Sequence, residues 1–280
     1  ADVSEEGIVE LLRRSSIVNL GEDVDATGVL KPEAMLRTRD VIASYVADIA
    51  QYEPENGAID VTAIATSASR DARNADEFVA MLAELGITLT VIPGEREAAL
   101  SFLGASSAYP GERLLVTDVG GGSSELIYGI SGESPIKSHS FNIGCRRMTE
   151  RFLAGDPPTK EECAQAREWA RAEFETFFQQ LADADLEIDR MVSVAGTATT
   201  SVSVHEALDP YDASVVNGYQ MSAESLASVR ERLSSMTLDE RLTVTGLQPG
   251  RAPVIVAGTL ILQELVDLAG TGGYTASDKD

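Results

Sequence analysis

The stretch VTDVGGGSSELIYG at residues 116–129 carries two acids around three consecutive glycines: Asp118 precedes them and Glu125 follows. Glycines in a turn between two strands let backbone N–H groups converge on one point, an arrangement that binds phosphate. The acids make chemical sense if a hard cation, with Mg²⁺ the best candidate, lies between them and the phosphate oxygens. The alternative is a tight hairpin with a solvated acid at each end. Asp118 favours the cation site, because a carboxylate ending an apolar strand is costly to bury without a partner.

Four other segments carry residue types suited to phosphate chemistry. VIPGEREAAL starts a helix with Glu95 and Glu97, although acids there also simply complement the helix dipole. ATSASRDARN places hydroxyls before Arg70, whose guanidinium suits phosphate, although a Ser/Thr-rich turn with a solvated arginine fits equally well. SVAGTATT opens a helix with Gly196 and Thr197, which is a weak anion-site signal. IGCRRMTERF contains either a solvated helix face or a local basic patch, formed by Arg146, Arg147 and Arg151.

The surrounding pattern predicts an α/β protein. Residues 6–20 are expected to form two strands, and residues 59–108 alternate strand, helix, strand and helix, which indicates parallel pairing. Residues 113–143 contain three strands in quick succession, typical of an antiparallel meander. Residues 252–269 are apolar almost all round, which predicts a buried helix. We expect the final TGGYTASDKD to be loose.

Charge and composition limit the function. The 280 residues include 45 acids and 22 bases, giving a net charge of -23, which argues against nucleic acid as a partner. A polyanionic ligand would need a local basic patch. The few cysteines and histidines lack zinc-ligand spacing, so we expect carboxylates to carry any catalysis. We find no signal peptide and no apolar run long enough for a bilayer, so we expect a cytoplasmic protein without a membrane partner.

Six segments, taken in order, resemble one family. They are ATSASRDARN, VIPGEREAALSFLGA, VTDVGGGSSEL, FNIGCRRMTERF, VAGTATT and GLQPGRAPVIVAGTLIL. They are similar to the exopolyphosphatase and guanosine pentaphosphate phosphohydrolase family, and the similarity runs from about NLGEDVDATGVL to residue 269. The resemblance implies an actin-like (ribonuclease H-like) two-domain fold with an interdomain cleft. It also implies hydrolysis of a terminal phosphoanhydride, usually with Mg²⁺.

The resemblance also implies roles for individual residues. By motif match, Glu97 is the general base that deprotonates the attacking water. Asp118 and Glu125 correspond to acids linked to the metal, and Arg70 to an arginine that contacts phosphate across the cleft. The expected phosphate-binding residues, besides Arg70, are Gly120, Gly121, Gly122, Ser123, Ser124, Gly196 and Thr197.

The same resemblance divides the chain into domains. We expect residues 1–106 to form the first domain and residues 107–250 the second, with the helix at 252–269 packing back on the first. The family's opening Asp-x-Gly-[Ser/Thr]-Asn loop has no match in residues 1–30, so we expect an N-terminal strand and loop to be missing.

Two single positions also depart from the family pattern. Pro253 stands where an acid is usual, which we expect to alter the interdomain hinge. Ala195 stands where glycine is common, which is a mild change.

Several functions remain open at this point. The first is release of terminal phosphate from polyphosphate, with short chains expected because longer family members carry an additional C-terminal helical domain. The second is guanosine pentaphosphate 5′-phosphohydrolase activity. A third is a nucleotide- or polyphosphate-binding regulator without turnover, and a fourth is an actin-fold kinase, against which the Glu97 motif argues. Members of this family commonly form homodimers, so a second copy is a further expected partner.

Overall fold

The structure, a computed structural model, describes residues 1–4, 7–52 and 59–278. Its first part is a small N-terminal unit built around a parallel strand pair, as the alternation of elements predicted. Phe78 and Leu82 lie one turn apart on one helix face and pack against Leu30 in its core. Its elements are β1 (Asp2–Ser4), β2 (Gly7–Val9), α1 (Val24–Thr27), α2 (Pro32–Ile49), β3 (Ala63–Ala65), α3 (Ser67–Asp71), α4 (Ala75–Ala83) and β4 (Leu89–Val91).

The prediction of two strands over residues 6–20 is correct only in part. β1 and β2 pair antiparallel, with Val3 opposite Ile8. Residues 10–19 form no helix or strand, and Leu11 and Leu12 are about half exposed. Apolar residues favour an extended chain, but a strand exists only where a neighbouring strand accepts its backbone hydrogen bonds.

The C-terminal unit is organised by one six-stranded sheet, in the order β7-β6-β5-β8-β10-β9. The predicted meander is confirmed, because β5, β6 and β7 pair antiparallel in sequence order. β8 and β10 run parallel to β5, and β9 closes the far edge antiparallel to β10. The strands are β5 (Arg113–Val119), β6 (Ser124–Ile130), β7 (Lys137–Phe141), β8 (Arg190–Val194), β9 (Gln220–Ser222) and β10 (Gly273–Ala276).

Helices cover both faces of this sheet. α5 (Gly94–Ser106) packs Ala98, Phe102 and Ala105 against one face. A thicker helical layer covers the other face, and successive residues of β5 therefore enter different cores. The remaining helices are α6 (Cys145–Phe152), α7 (Lys160–Asp183), α8 (Ala195–His205), α9 (Ala213–Val216), α10 (Ala223–Ser234), α11 (Leu238–Arg241) and α12 (Ile255–Ala269), with a 3₁₀ turn at Pro249–Arg251.

The position of α12 corrects the expectation that residues 252–269 pack back on the first domain. α12 contacts α6, α7, α8 and α10, and its apolar side chains belong to the core of the C-terminal unit. A helix that is apolar almost all round needs neighbours on every side, and the helical layer supplies them. α5, which we expected in the first domain, likewise packs on the six-stranded sheet.

The end of the chain also differs from expectation. Residues 273–276 are not loose but form β10, which lies inside the sheet between β8 and β9. Tyr274 is 3% exposed, and its hydroxyl donates to the carbonyl of Ala198 at 3.0 Å. A four-residue strand next to two glycines gives little periodic signal, which explains why the pattern did not predict it. In the part of the chain that the structure describes, no helix has the length and apolarity needed to cross a bilayer.

Replacement of Tyr274 by alanine tests the interior position of β10. We expect Tyr274→Ala to lower the free energy of unfolding by about 3–5 kcal/mol, the range for truncating a large buried aromatic side chain. Tyr52→Ala is the matched control, because Tyr52 is 39% exposed. Urea denaturation followed by circular dichroism measures both. Equal, small losses in the two variants would mean that the C-terminal segment does not pack inside the sheet.

Candidate active site

A row of polar side chains crosses three strands at one end of the sheet. Asp118 on β5 lies directly opposite Glu125 on β6, and Glu125 lies opposite Ser140 on β7. Because side chains alternate along a strand, Asp118 shares its face with Leu114 and Val116. These two belong to the core that α5 covers, so the apolar face ends in two carboxylates.

Glu97 reaches this region from the first turn of α5, which begins at Gly94. Its side chain is 14% exposed, and its Oε2 atom lies 3.4 Å from Nη1 of Arg70. Burial raises the pKa of Glu97, and the hydrogen bonds from Arg70 and from the hydroxyl of Thr66 oppose that rise. Both donors belong to the N-terminal unit, so Glu97 is held where the two units meet.

Glu125 is almost fully buried, at 1% exposure. Burial is the main factor that raises its pKa; the hydroxyl of Ser140, which donates to Oε1 at 2.6 Å, opposes the rise, and the negative charge of Glu97 adds to it. The hydroxyl of Ser123 and the charge of Arg70 also lower the pKa of Glu125. Glu97 and Glu125 are therefore two electrostatically coupled carboxylates with pKa values above the ordinary range for glutamate. A carboxylate with a raised pKa is a stronger base than an ordinary glutamate, which suits it to accept a proton in a reaction.

The glycine turn is fixed by the start of α6. The carbonyl of Gly120 accepts from the N–H of Cys145 at 2.9 Å, and the carbonyl of Gly121 accepts from the N–H groups of Arg146 and Arg147 at 2.9 and 3.2 Å. This approach requires glycine before α6, because a Cβ at Gly144 would lie 2.3 Å from the carbonyl oxygen of Gly121. The turn therefore has a defined shape before any ligand binds.

A cavity of about 450 Å³ lies between the two units, with the glycine turn on its wall. Arg146 and Arg147, predicted as a local basic patch, line it, whereas Arg151 stacks on Phe152 and Trp169 instead. The other lining residues are Ile17, Asn19, Leu20, Gly21, Val24, Thr66, Ser67, Ala68, Asp71, Val119, Gly120, Gly121, Gly122, Cys145, Glu150, Ala195, Gly196, Gly250, Arg251 and Val254. Glu97 adjoins this cavity through Thr66, which lines the cavity and donates to the Glu97 carboxylate.

The structure separates the expected phosphate-binding residues into two groups. The three glycines of the turn and Gly196 face the cavity. Ser124 and Thr197 are buried, and their hydroxyls donate to the carbonyls of Ile143 at 2.6 Å and Val119 at 3.1 Å. Ser123 is also buried and bonds to Glu125. The hydroxyls of all three serve to hold the turn and its acid in the described conformation.

Arg251 is a site residue that sequence reasoning missed. Its guanidinium lies on Gly196: a Cβ at that position would be 1.6 Å from Nη1 of Arg251. Nε of Arg251 lies 3.3 Å from Oε1 of Gln248, and burial lowers the pKa of Arg251 while leaving it positively charged. Arg251 ends a 3₁₀ turn about fifty residues after Gly196, so only the late GLQPGRAPVIVAGTLIL motif pointed toward it.

Known proteins resemble this chain over nearly its whole length. The model of the Ppx/GppA phosphatase family matches residues 1–271. The chain belongs to this family. It is 37% identical over 281 residues to exopolyphosphatase 2 of Mycobacterium tuberculosis, with 96% of this chain and 85% of that protein covered.

Solved structures of this family share the fold. An exopolyphosphatase-like protein matches with a TM-score of 0.86 at 32% identity, covering 97% of this chain and 89% of that one. An exopolyphosphatase from Cytophaga hutchinsonii matches with a TM-score of 0.88 at 25% identity, covering 100% and 89%. The expected fold class and the expected phosphatase family are thus confirmed for this Ppx/GppA protein.

Asp118 and Glu125 fit a metal ion that also binds water and substrate phosphates, but not a metal ion held by protein side chains alone. Within the described residues, no group of three or more His, Cys, Asp or Glu side chains surrounds a common metal position. A cage made by the protein alone is therefore not present there. Two carboxylates at one register position do fit Mg²⁺, which is commonly bound by one or two carboxylates together with waters and substrate phosphates.

The backbone next to the cavity supplies a stability test. Ala195 has φ +62°, a left-handed conformation that is unfavourable for residues with a Cβ atom. We expect Ala195→Gly to raise the free energy of unfolding by up to about 1 kcal/mol, because relief of strain exceeds the added entropy of the unfolded chain. Ala198→Gly, in the same helix, should instead lower it by about 1 kcal/mol. A loss of stability in both variants, measured by urea denaturation, would contradict the strain at Ala195.

Proposed function

We propose that this protein is a hydrolase that releases terminal orthophosphate from short-chain inorganic polyphosphate. The observation that supports this most is the coupled pair Glu97 and Glu125 beside a cavity lined by three arginines, in a chain of net charge -23. The arginines are the local basic patch that a polyanionic substrate needs. The carboxylates provide a base in a chain with only two histidines.

In the proposed reaction, Glu97 accepts a proton from water, and the water oxygen forms a bond to the terminal phosphorus. The bridging oxygen–phosphorus bond breaks, and the products are orthophosphate and a polyphosphate shorter by one unit. Asp118 and Glu125 would hold Mg²⁺, which when bound neutralises charge on the phosphate oxygens. Positioning and charge neutralisation are the main requirements of phosphoryl transfer, so no covalent protein intermediate is needed.

The substrate would lie in the cavity with its phosphates on the glycine turn. We assign Arg146, Arg147 and Arg251 to the phosphate chain, since all three line the cavity. Arg70 would contact the terminal phosphate, because it already bonds to Glu97, the proposed base. Gly196 acts by leaving the space that the guanidinium of Arg251 fills.

A second candidate function is hydrolysis of the 5′-terminal phosphate of guanosine pentaphosphate. It is favoured by the apolar part of the cavity wall, where Ile17, Val24 and Val254 offer a surface for a nucleoside. A non-catalytic regulator that binds nucleotide or polyphosphate is the alternative from another class. Binding of polyphosphate without phosphate release would support that alternative.

Glu97→Gln is the first test of this proposal. We expect kcat for orthophosphate release from short-chain polyphosphate with Mg²⁺ to fall by about 10²–10⁴, the usual contribution of a general base. Polyphosphate binding, measured by calorimetry, should remain. Glu95→Gln is the matched control, because Glu95 is exposed in the same helical turn and should keep full activity.

The pH dependence provides a further readout of the same variant. A general base must be ionised, so wild-type activity should fall as the pH drops through the raised pKa values of the Glu97–Glu125 pair. Turnover of Glu97→Gln at the wild-type rate would remove Glu97 from its proposed role. Lack of release by both wild type and variant, with polyphosphate still bound, would favour the regulator.

Gly196→Ala tests whether Arg251 binds substrate. The added Cβ must displace the guanidinium, so we expect KM for polyphosphate to rise about tenfold, as for loss of one charge-assisted hydrogen bond. Arg251→Ala should have a similar effect. In the Arg251→Ala background the Gly196→Ala change should add little, because the group it displaces is gone. Full additivity of the two changes in steady-state kinetics would contradict this coupling.

A further inference from the structure

Ser140 contacts both β6, which carries Glu125, and α5, which carries Glu97. It lies on the edge strand β7 opposite Glu125, and its hydroxyl donates to Oε1 of that residue at 2.6 Å. It also packs against the first residue of α5: a Cβ added to Gly94 would lie 3.0 Å from Cβ and 3.2 Å from Oγ of Ser140. Glu97 follows three residues later on the same helix.

The orientation of Glu125 depends on few groups. At 1% exposure its carboxylate has almost no contact with solvent, so protein donors must fix its plane. A short hydrogen bond to a charged acceptor restrains its rotation strongly. Ser140 comes from an edge strand held to β6 by backbone pairing, whereas Ser123 lies at the glycine turn that precedes β6. Ser140 is therefore a donor fixed by the sheet itself.

We propose that Ser140 is a positioning residue for the reaction. It holds the carboxylate of Glu125 in one orientation and, through its contact with Gly94, sets where α5 presents Glu97. Ser140 does not line the cavity, and its hydroxyl is engaged by Glu125. This inference rests on the proposed hydrolysis and adds a residue that acts through the two carboxylates.

The kinetic test compares substitutions on one strand. Ser140→Ala should lower kcat for orthophosphate release from short-chain polyphosphate about tenfold, the effect of losing one hydrogen bond to a charged group, with KM within twofold of wild type. Ser140→Thr keeps a hydroxyl that can donate to Glu125, and threonine is well accommodated in strands, so it should restore most of kcat. Ser138→Ala is the control, since Ser138 is exposed on the same strand two residues away and should leave kcat unchanged.

Two kinetic results would contradict the proposal. Wild-type kcat in a folded Ser140→Ala variant, or a loss that Ser140→Thr does not reverse, would overturn the role of Ser140. If Ser140→Ala fails to fold, as judged by circular dichroism, Ser140→Cys retains the volume with only a weak donor and should show the same loss of kcat. Wild-type kcat in Ser140→Cys would then count against the proposal.

A second readout does not depend on activity. The ¹³C resonance of the Glu125 side-chain carboxylate, recorded without metal or substrate, should shift in Ser140→Ala and stay in place in Ser138→Ala. An unshifted resonance in Ser140→Ala would overturn the inference. If wild type releases no orthophosphate, the proposed function fails, and this resonance alone decides whether Ser140 holds the carboxylate.

Discussion

Two carboxylates occupy one register position on neighbouring strands, and much of the site is arranged around that placement. Directly opposed like charges destabilise a sheet, and Glu125 is also removed from water. Neighbouring groups stabilise the buried charges of Glu97 and Glu125: hydroxyls donate to both carboxylates, and Arg70 places a positive charge near them. Burial keeps the pKa values of Glu97 and Glu125 raised, and the negative charge of Glu97 adds to the rise at Glu125. A raised pKa makes a carboxylate a stronger base.

The cavity concentrates positive charge in a strongly acidic protein. The whole chain repels polyanions, yet three arginines converge on a cavity of about 450 Å³ between the two units. Arg147 lies 3.5 Å from Asp71 of the N-terminal unit, and Arg146 donates to Asn19. These contacts join the units through side chains that also face the cavity. A phosphate chain that enters would compete for the same guanidinium groups, so ligand binding and the relative position of the units are physically linked.

Sequence reasoning identified the parts of the site that have a local pattern. The meander and its acids followed from alternating strands around glycines, and the start of α5 followed from a strand, Pro93-Gly94 and acids. Which acids face each other depends on strand register, which composition does not encode. Arg251 was missed because its contact with Gly196 joins distant segments. β10 was missed because four residues beside glycines resemble a loose end, and only the open place beside β8 makes them a strand.

The location of β10 also constrains the order in which the protein assembles. β9 precedes α10 and α12 in the chain, but it joins the sheet through β10, which follows them. During synthesis from the N-terminus, β9 therefore has no place in the sheet until residues 273–276 have left the ribosome. The meander and α5 are complete far earlier and can form from contacts close in sequence. The half of the sheet that holds the carboxylates is thus able to assemble first, and its opposite edge is completed last.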